Sequence, residues 1–344
     1  MAQLTMGVAM SHGPMVVAEV PTWFKIAQLD RKSTLLRDTD GKPVTYEELE
    51  KATGNRYAEH ATEEHFLSQR EQVKASVQRL KQEVAAAEID VFVVIGDDQY
   101  ELFDYDNTPA LAVYSGAELE FTQKEHTPAG RRGRLGEEVG GLDDVRRGYG
   151  VDQRHRWPGH QPLALHMIGG LLERHFDVTA VTSAPEPNGL GHAFGVVEVQ
   201  LMRTPGATPL VPLIVNTYWP PNQVTPARCW DLGIALREVI ESYPEDLRVA
   251  VVASGGLSHF VTDEDLDMKT LEPLRAGNPK GLLDLPIHLL NSGNSEVRNW
   301  IALAACCEDM SLAWDEYIPV YRTPPGTGCG MAFARWGAIP EPVA

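Results

Sequence analysis

Short continuous runs of apolar residues recur along the chain, and each ends at glycine, proline or a polar cluster. The run RVAVVAS, residues 248–254, has the valine and alanine content of a strand buried on both faces, and Gly255 and Gly256 follow it. Similar runs predict further strands at residues 4–10, 91–95, 178–182, 210–218 and 318–321.

Between these runs, apolar residues recur in steps of three and four. The clearest case is residues 67–87, where Val73, Val77, Leu80 and Val84 form the apolar stripe of an amphipathic helix. Helices are also expected at residues 159–176, 226–242 and from 296 to about 307. Strands that alternate with helices predict an α/β fold, in which a single domain over residues 1–344 has a central mixed sheet flanked by helices.

Three stretches show neither the continuous apolar runs of the predicted strands nor the three- and four-residue spacing of the predicted helices. Residues 21–62 are polar and contain a clear turn at DTDGKP, so we interpret them as an inserted cap or lid of little core value. Residues 118–158 are rich in glycine and charge and predict a long surface loop. Residues 263–286 are acidic and are expected to be irregular.

The composition limits the partners that the protein is expected to bind and the cellular compartment in which it is expected. The net charge of −18 disfavours nucleic acid and anionic membranes, because no block of lysine and arginine is present to neutralise phosphates. The four cysteines lack the spacing of a zinc cluster or a disulfide framework, and the start of the chain resembles neither a secretion signal nor a membrane span. We therefore expect a cytoplasmic protein with reduced thiols.

Histidines and acids stand at the ends of the predicted elements. His12 follows the first strand, His259 follows Gly255 and Gly256, and His192 lies in a loop between glycines. An acidic cluster at residues 97–101 ends the second strand, and Glu296 begins the last helix. Because open α/β sheets bind ligands at the carboxyl ends of their strands, we expect one shared active site there. Histidines with a carboxylate suit non-haem Fe(II) oxygen chemistry or a zinc hydrolase, and spacing alone does not separate the two.

Several ordered blocks resemble a known family. They are SHGP at residues 11–14, GHQPLALHMIGGLLERHFDVTAV at 159–181, the run from VNTYWPP to GGLSHF at 215–260, and NSGNSEVRNW at 291–300. Together they resemble the class III (LigB-type) extradiol ring-cleavage dioxygenases, the family of the protocatechuate 4,5-dioxygenase catalytic subunit.

The resemblance implies roles for individual residues. His12 and Glu296 match metal ligands, His259 matches the catalytic histidine that handles the proton of a catechol hydroxyl, and His192 matches a second catalytic histidine near the ring substituents. The implied activity is Fe(II)-dependent extradiol cleavage of a catechol-type substrate by O2. By analogy we expect self-association, and either a small helical partner subunit or the insert at residues 21–62 would cover the site.

One position departs from the family. Where the second histidine ligand normally stands, this chain has Gln99 in the run DQYELF. Gln99 could serve as a weaker, harder ligand, Asp98 or Glu101 could replace it, or His60 or His65 could supply nitrogen. This departure keeps open a hydrolase or lyase reaction on an aromatic compound with Mn or Zn, and also a role as a binding protein without catalysis.

The sequence offers few groups for the substrate. Tyr100 and Tyr218 stand near the expected site and could donate to a substrate oxyanion, although tyrosines at sheet edges commonly serve packing. Arg298 and Arg228 are the candidates for binding a substrate carboxylate.

Overall fold

A computed structural model describes residues 1–104, 106–122, 142–184 and 186–338. Within them the chain forms a nine-stranded mixed sheet and a separate two-stranded sheet, with helices on both faces of the large sheet. The α/β fold with a central mixed sheet is therefore confirmed. In chain order the strands are β1 (Gln3–Met10), β2 (Val91–Gly96), β3 (Leu111–Tyr114), β4 (Glu118–Glu120), β5 (Arg156–Pro158), β6 (Thr179–Val181), β7 (Leu210–Val215), β8 (Arg248–Ser254), β9 (His259–Val261), β10 (Leu312–Tyr321) and β11 (Thr327–Trp336).

The large sheet runs in the order β10-β11-β1-β8-β2-β7-β3-β6, and β9 pairs with β11. Its centre is parallel, because β1 pairs with β8, β8 with β2, and β2 with β7 in the same direction. Strand β11 runs antiparallel to both β1 and β10, and β3 runs antiparallel to β7 but parallel to β6. The four parallel strands therefore end at one edge of the sheet.

Described helices pack on both faces of this sheet. They are α1 (Pro14–Val17), α2 (Val20–Asp30), α3 (Tyr46–Thr53), α4 (Glu63–Ala86), α5 (Asp143–Gly148), α6 (Gln161–Glu173), α7 (His192–Gln200), α8 (Pro226–Glu241), α9 (Glu264–Arg275) and α10 (Val297–Cys306). Strand β2 shows why both faces are needed: Val93 and Ile95 join one core cluster, whereas Phe92 and Val94 join the other. Among the described residues, no helix has both the length and the apolar content needed to traverse a bilayer.

The segments without periodicity are more ordered than the sequence predicted. The insert at 21–62 carries most of α2 and all of α3, and its Trp23 is fully buried against Phe66, so the expectation of little core value was wrong. The stretch 263–286 contains α9, whose first turn is capped by Asp263. Within 118–158 the structure has β4, α5 and β5, while residues 123–141 of that predicted loop lie outside the described residues.

Candidate metal site and active-site pocket

The ends of the parallel strands bring the candidate residues together. His12 follows β1, Asp97 follows β2, and Gly255 follows β8. Glu296 ends a single turn of 3₁₀ helix, Ser292–Glu296, that leads into α10. Gly255 has a φ of +129°, and a Cβ there would lie 2.8 Å from Glu296 Oε2, so glycine gives Glu296 its place at the strand end.

Three of these side chains could hold a cation. The ligand atoms of His12, Asp97 and Glu296 all lie within 4.8 Å of one another, and all three residues are buried. His12 Nε2 is 3.1 Å from Glu296 Oε2. Asp97 Oδ1 has no hydrogen-bond partner among the described residues, which is unusual for a buried carboxylate oxygen. One imidazole and two carboxylates form a donor set that fits a divalent transition metal.

Burial and neighbouring charges shift the pKa values of the groups in this cluster. Burial alone would raise the pKa of Glu296, but the facing His12 and His259 outweigh it and hold that pKa well below its usual range. The pKa of Asp97 is raised to about 7, first by burial and then by the charge of Glu296. Burial alone would lower the pKa of His12, yet Glu296 and then Asp97 and Glu101 raise it overall. A bound cation would take the place of these protons.

Gln99 bridges the two carboxylates of the cluster. Its Nε2 donates to Asp97 Oδ2 at 3.1 Å and to Glu296 Oε1 at 3.2 Å. The amide N–H thus faces the carboxylates, and Asp97, the first residue after β2, offers the acidic oxygens beside Glu296. The role of Gln99 as a ligand stays a prediction.

The other proposed ligands make different contacts. Asp98 accepts the backbone N–H groups of Leu102 at 2.8 Å and Phe103 at 3.2 Å, which closes the turn after β2. Glu101 Oε1 lies 2.8 Å from His192 Nδ1. His60 and His65 lie against each other at the surface, with ring centroids 5.2 Å apart.

His259 stands beside the cluster with a fixed ring orientation. Its Nδ1 lies 2.9 Å from the carbonyl of Leu257, which can only accept, so the proton is on Nδ1. Its Nε2 is 3.3 Å from Glu296 Oε1, and its backbone N–H donates to Asn294 Oδ1 at 2.8 Å. Nε2 therefore faces the Glu296 carboxylate, and the residue lines the pocket.

His192 begins α7 and faces the cluster from the other side. Its ring centroid lies 4.5 Å from that of His12 in an edge-on arrangement, and both its backbone N–H and Nδ1 contact Glu101 Oε1. The carboxylate of Glu101 thus orients the imidazole.

A pocket opens above these residues. We call His12, Asp97, Gln99, His259 and Glu296 the pocket floor. The pocket cover consists of the lining residues contributed by α2, by the region of α5 and by the segment before β11, namely Ile26, Leu29, Asp30, Leu142, Tyr149 and Arg322. Its lining combines the polar groups of the floor with apolar side chains such as Ile26, Leu29 and Leu142, which suits a small aromatic molecule with polar substituents.

The substrate residues suggested by the sequence are not among those that line this pocket. Tyr100 stacks on Trp219 at 4.0 Å, and Tyr218 is buried with its hydroxyl 3.5 Å from Ser292 Oγ. The guanidinium of Arg298 donates to backbone carbonyls, including those of Val224 and Leu290. Their roles toward a substrate stay predictions.

Other residues occupy the pocket instead. Arg228 packs over Phe176 outside the lining residues, whereas Arg322 lines the pocket and forms a bidentate pair with Asp30. Tyr149 also lines the pocket, and its only signal in the sequence is its place between two glycines in a stretch interpreted as a loop. Residues brought in by long-range packing of this kind carry no local pattern.

Fold and site together define an α/β protein with a buried cluster of histidine and carboxylate side chains, a candidate cation site, at the ends of parallel strands. The family model described as the catalytic LigB subunit of aromatic ring-opening dioxygenase matches residues 68–332. The chain therefore belongs to this LigB family, and the resemblance noted in the sequence is confirmed.

Two curated relatives match parts of the chain. A gallate dioxygenase of Pseudomonas putida is 41% identical over 200 residues, which cover 54% of this chain and 56% of the relative. A 2,3-dihydroxyphenylpropionate/2,3-dihydroxicinnamic acid 1,2-dioxygenase of Comamonas testosteroni is 31% identical over 97 residues, covering 28% of this chain and 29% of the relative. The chain thus matches little more than half the length of the first relative and less than a third of the second.

Proposed function

We propose that this protein is a non-haem Fe(II)-dependent dioxygenase that opens a catechol-type aromatic ring next to its two hydroxyl groups. The observation that carries the proposal is the buried cluster of His12, Asp97 and Glu296, with His259 directly beside it at the base of the pocket. Membership of the LigB family and the names of the two relatives support an aromatic diol and O2 as the substrates.

The donor set fits the proposed cofactor. His12 would supply nitrogen, and Asp97 and Glu296 would supply oxygen, including the Asp97 Oδ1 that has no other described partner. Iron bound there would supply the redox chemistry with O2 and a positive charge that favours ionised diol oxygens.

His259 is placed to move a proton of the substrate. Because its Nδ1–H is held by the carbonyl of Leu257, Nε2 is the nitrogen that can accept a proton from a diol hydroxyl in the pocket. Glu296, 3.3 Å away, would stabilise the imidazolium that results. His192, oriented by Glu101, stands across the floor and would contact the ring substituents of the substrate.

The cover would keep water from the reacting groups. Ile26, Leu29 and Leu142 give it an apolar surface, and the first two come from the insert that the sequence identified as a cap. An apolar wall strengthens the electrostatic interactions at the floor because it excludes solvent.

The test is metal analysis of anaerobically purified protein followed by O2 consumption with catechol, protocatechuate and gallate. We expect close to one iron per chain, O2 uptake with at least one diol and a yellow ring-opened product. Phenols with a single ring hydroxyl serve as the control and should give no O2 uptake. Protein that carries iron but consumes no O2 with any diol would refute the proposal.

One observation favours a second candidate. The cluster has two carboxylates and one imidazole, a harder donor set than two histidines and one carboxylate, and it suits Mn or Zn as well as iron. The alternative is a hydrolytic or carbon–carbon bond-cleaving reaction on an aromatic compound. It predicts turnover by Mn- or Zn-loaded protein under strictly anaerobic conditions, which a dioxygenase does not support. A binding protein without catalysis would bind the aromatic and give no turnover with any of the three metals.

The assembly and location are also proposals. We propose a cytoplasmic homo-oligomer in which α2 covers the pocket, with a small helical partner subunit as the other possible cover. Ile26 and Leu29 of α2 line the pocket, and this supports the first form. Light scattering of purified protein gives the oligomeric state, and full O2 uptake without any added subunit would exclude a required partner.

A further inference from the structure

We propose that Tyr149 donates a hydrogen bond to a third oxygen substituent of the aromatic substrate, in addition to the two diol oxygens, and so selects among diols. This inference rests on the proposed function and names the substrate class more closely. The substituent is a ring hydroxyl or a carboxylate, which share an acceptor oxygen.

The position of Tyr149 is the first support. The residue lines the pocket together with His12 and His192, is only 2% exposed, and its ring centroid is 5.4 Å from that of His192. Among the described residues, no side chain or backbone group forms a hydrogen bond with its hydroxyl. A buried phenol usually has a partner, so the free donor of Tyr149 at the wall of a pocket indicates a ligand atom.

The chain around Tyr149 is built to hold it there. Tyr149 follows α5, and its backbone N–H donates to the carbonyl of Val145 at 2.9 Å. On one side, a Cβ at Gly148 would overlap the side chain of Val17, which ends the short helix after His12. On the other side, a Cβ at Gly195 in the first turns of α7 would overlap the carbonyl oxygen of Tyr149. The tyrosine is thus clamped between the elements that carry His12 and His192.

The charge of the surroundings keeps the hydroxyl a donor. Burial, and then the negative charges of Glu296 and Glu101, raise the pKa of Tyr149 well above its usual value. A raised pKa favours the protonated phenol, which can donate to a hydroxyl or carboxylate oxygen and carries no negative charge to repel it.

The geometry separates this role from that of the floor. The diol oxygens belong above His12, Asp97 and Glu296 in the proposed function, whereas Tyr149 lies on the side of His192, in the cover. An oxygen on the ring carbon beyond the diol would approach the phenol. A substrate without that oxygen would leave the donor unpaired and should gain nothing from it.

The experiment compares wild type, Tyr149→Phe and Tyr114→Phe by anaerobic calorimetric titration with catechol, pyrogallol and protocatechuate. Tyr114→Phe is the matched control, because it removes a buried hydroxyl on β3 outside the pocket lining. We expect Tyr149→Phe to weaken binding of pyrogallol, protocatechuate or both by about tenfold while catechol changes by less than about twofold, and kcat/KM to follow the same pattern. Tyr114→Phe should match the wild type with all three.

Each outcome decides something. Loss with pyrogallol alone assigns the acceptor as a hydroxyl, and loss with protocatechuate alone assigns it as a carboxylate. An equal loss for all three compounds, or no loss, overturns the inference while the proposed function stands. A wild-type protein that binds none of the three refutes the proposed function itself, and the inference with it.

Discussion

The floor and the cover of the pocket both contain buried carboxylates. The carboxylate of the cover is fully paired, whereas one carboxylate oxygen of the floor is unpaired among the described residues. Asp30 in the cover accepts hydrogen bonds from Nε and Nη2 of Arg322, at 2.8 and 3.0 Å, and from the Thr327 hydroxyl at 2.7 Å. In the floor, Asp97 and Glu296 share histidines and the amide of Gln99, and one oxygen of Asp97 has no described partner. The cover is thus complete as a protein structure, and the contrast supports the proposal that a bound cation completes the floor.

Removing the central carboxylate of the floor should have the largest effect. Glu296→Ala is expected to lose the metal and reduce turnover to background, because Glu296 contacts His12, His259 and the backbone N–H of Gly256. Metal content by elemental analysis of folded protein, checked by circular dichroism, gives the result. A folded variant that keeps one metal per chain would show that Glu296 is not a ligand.

His259→Ala should separate catalysis from metal binding. We expect kcat to fall about 10² to 10⁴-fold, the usual range for loss of a proton-transfer group, while the metal stays bound. The readouts are O2 uptake and metal content on the same preparation. Loss of the metal with retained turnover after metal is added back would reverse the roles given to His259 and Glu296.

A pair of neighbouring aspartates tests which acid belongs to the floor. Asp97→Asn should weaken metal affinity by about 100-fold or more, whereas Asp98→Asn should change it by less than about threefold, because the oxygens of Asp98 serve the backbone of Leu102 and Phe103. Competition with a metal chelator measures both. Equal losses would place both acids, or neither, at the metal.

The cover should respond in stability and not in metal binding. Asp30→Ala removes the bidentate partner of a buried guanidinium and is expected to lower the free energy of unfolding by about 3 to 5 kcal/mol, with metal content unchanged. Asp40→Ala, which breaks an exposed pair with Lys42, is the control and should cost less than about 1 kcal/mol. Denaturant titration of metal-free proteins gives both values, and metal loss in Asp30→Ala would contradict the division between cover and floor.

The smallest effect is expected at Glu198, a buried carboxyl group outside the pocket lining. It serves as a reference for the buried carboxyl groups of the floor. Glu198 on α7 accepts one backbone N–H, from Gly206 at 2.8 Å, and burial raises its pKa from 4.5 to about 7. The folded protein therefore keeps a proton that the unfolded chain releases, so the contribution of Glu198 to stability falls as pH rises from about 4.5 to 7 and is level above that.

Glu198→Gln removes this pH dependence. Relative to wild type, the variant should gain about 2 to 3 kcal/mol in free energy of unfolding between pH 5 and pH 8. Denaturant titrations of both proteins at both pH values show how the difference in their free energies of unfolding changes with pH. The contributions of the other titrating groups cancel in this comparison. A constant offset between the two proteins would show that Glu198 titrates normally.

The sequence predicts the floor better than the cover, and the reason is physical. The floor residues follow β1, β2 and β8, whose continuous apolar runs mark buried parallel strands, and such strands place their ends at one edge. The sequence pattern therefore indicates His12, His192, His259 and Glu296 as members of one site, and the fold brings them together. Asp97 stands out in the sequence only as a member of an acidic cluster, since nothing there shows which of several neighbouring acids turns inward.

The cover cannot be predicted in the same way. Tyr149 and Arg322 reach the pocket through distant segments. Gly195 packs against the backbone of Tyr149, Val17 packs against the neighbouring Gly148, and Asp30 pairs with Arg322. The helices α2, α3 and α9 also escape prediction, because their segments are polar and short and gain their stability mainly from packing against the rest of the molecule. Tyr100 and Tyr218 are close along the chain to the strand ends, but closeness along the chain does not decide where a side chain points.

The pairing of β1 has a consequence for the order in which the chain can fold during synthesis. This strand precedes the other described strands along the chain, yet it lies between β8, which begins at Arg248, and β11, which begins at Thr327. Its hydrogen bonds must wait until β8, and then β11, have been synthesised, and contacts so distant in sequence form slowly. His12 reaches Glu296 only after that closure, so binding of the metal would report on the last stage of assembly and not on the first.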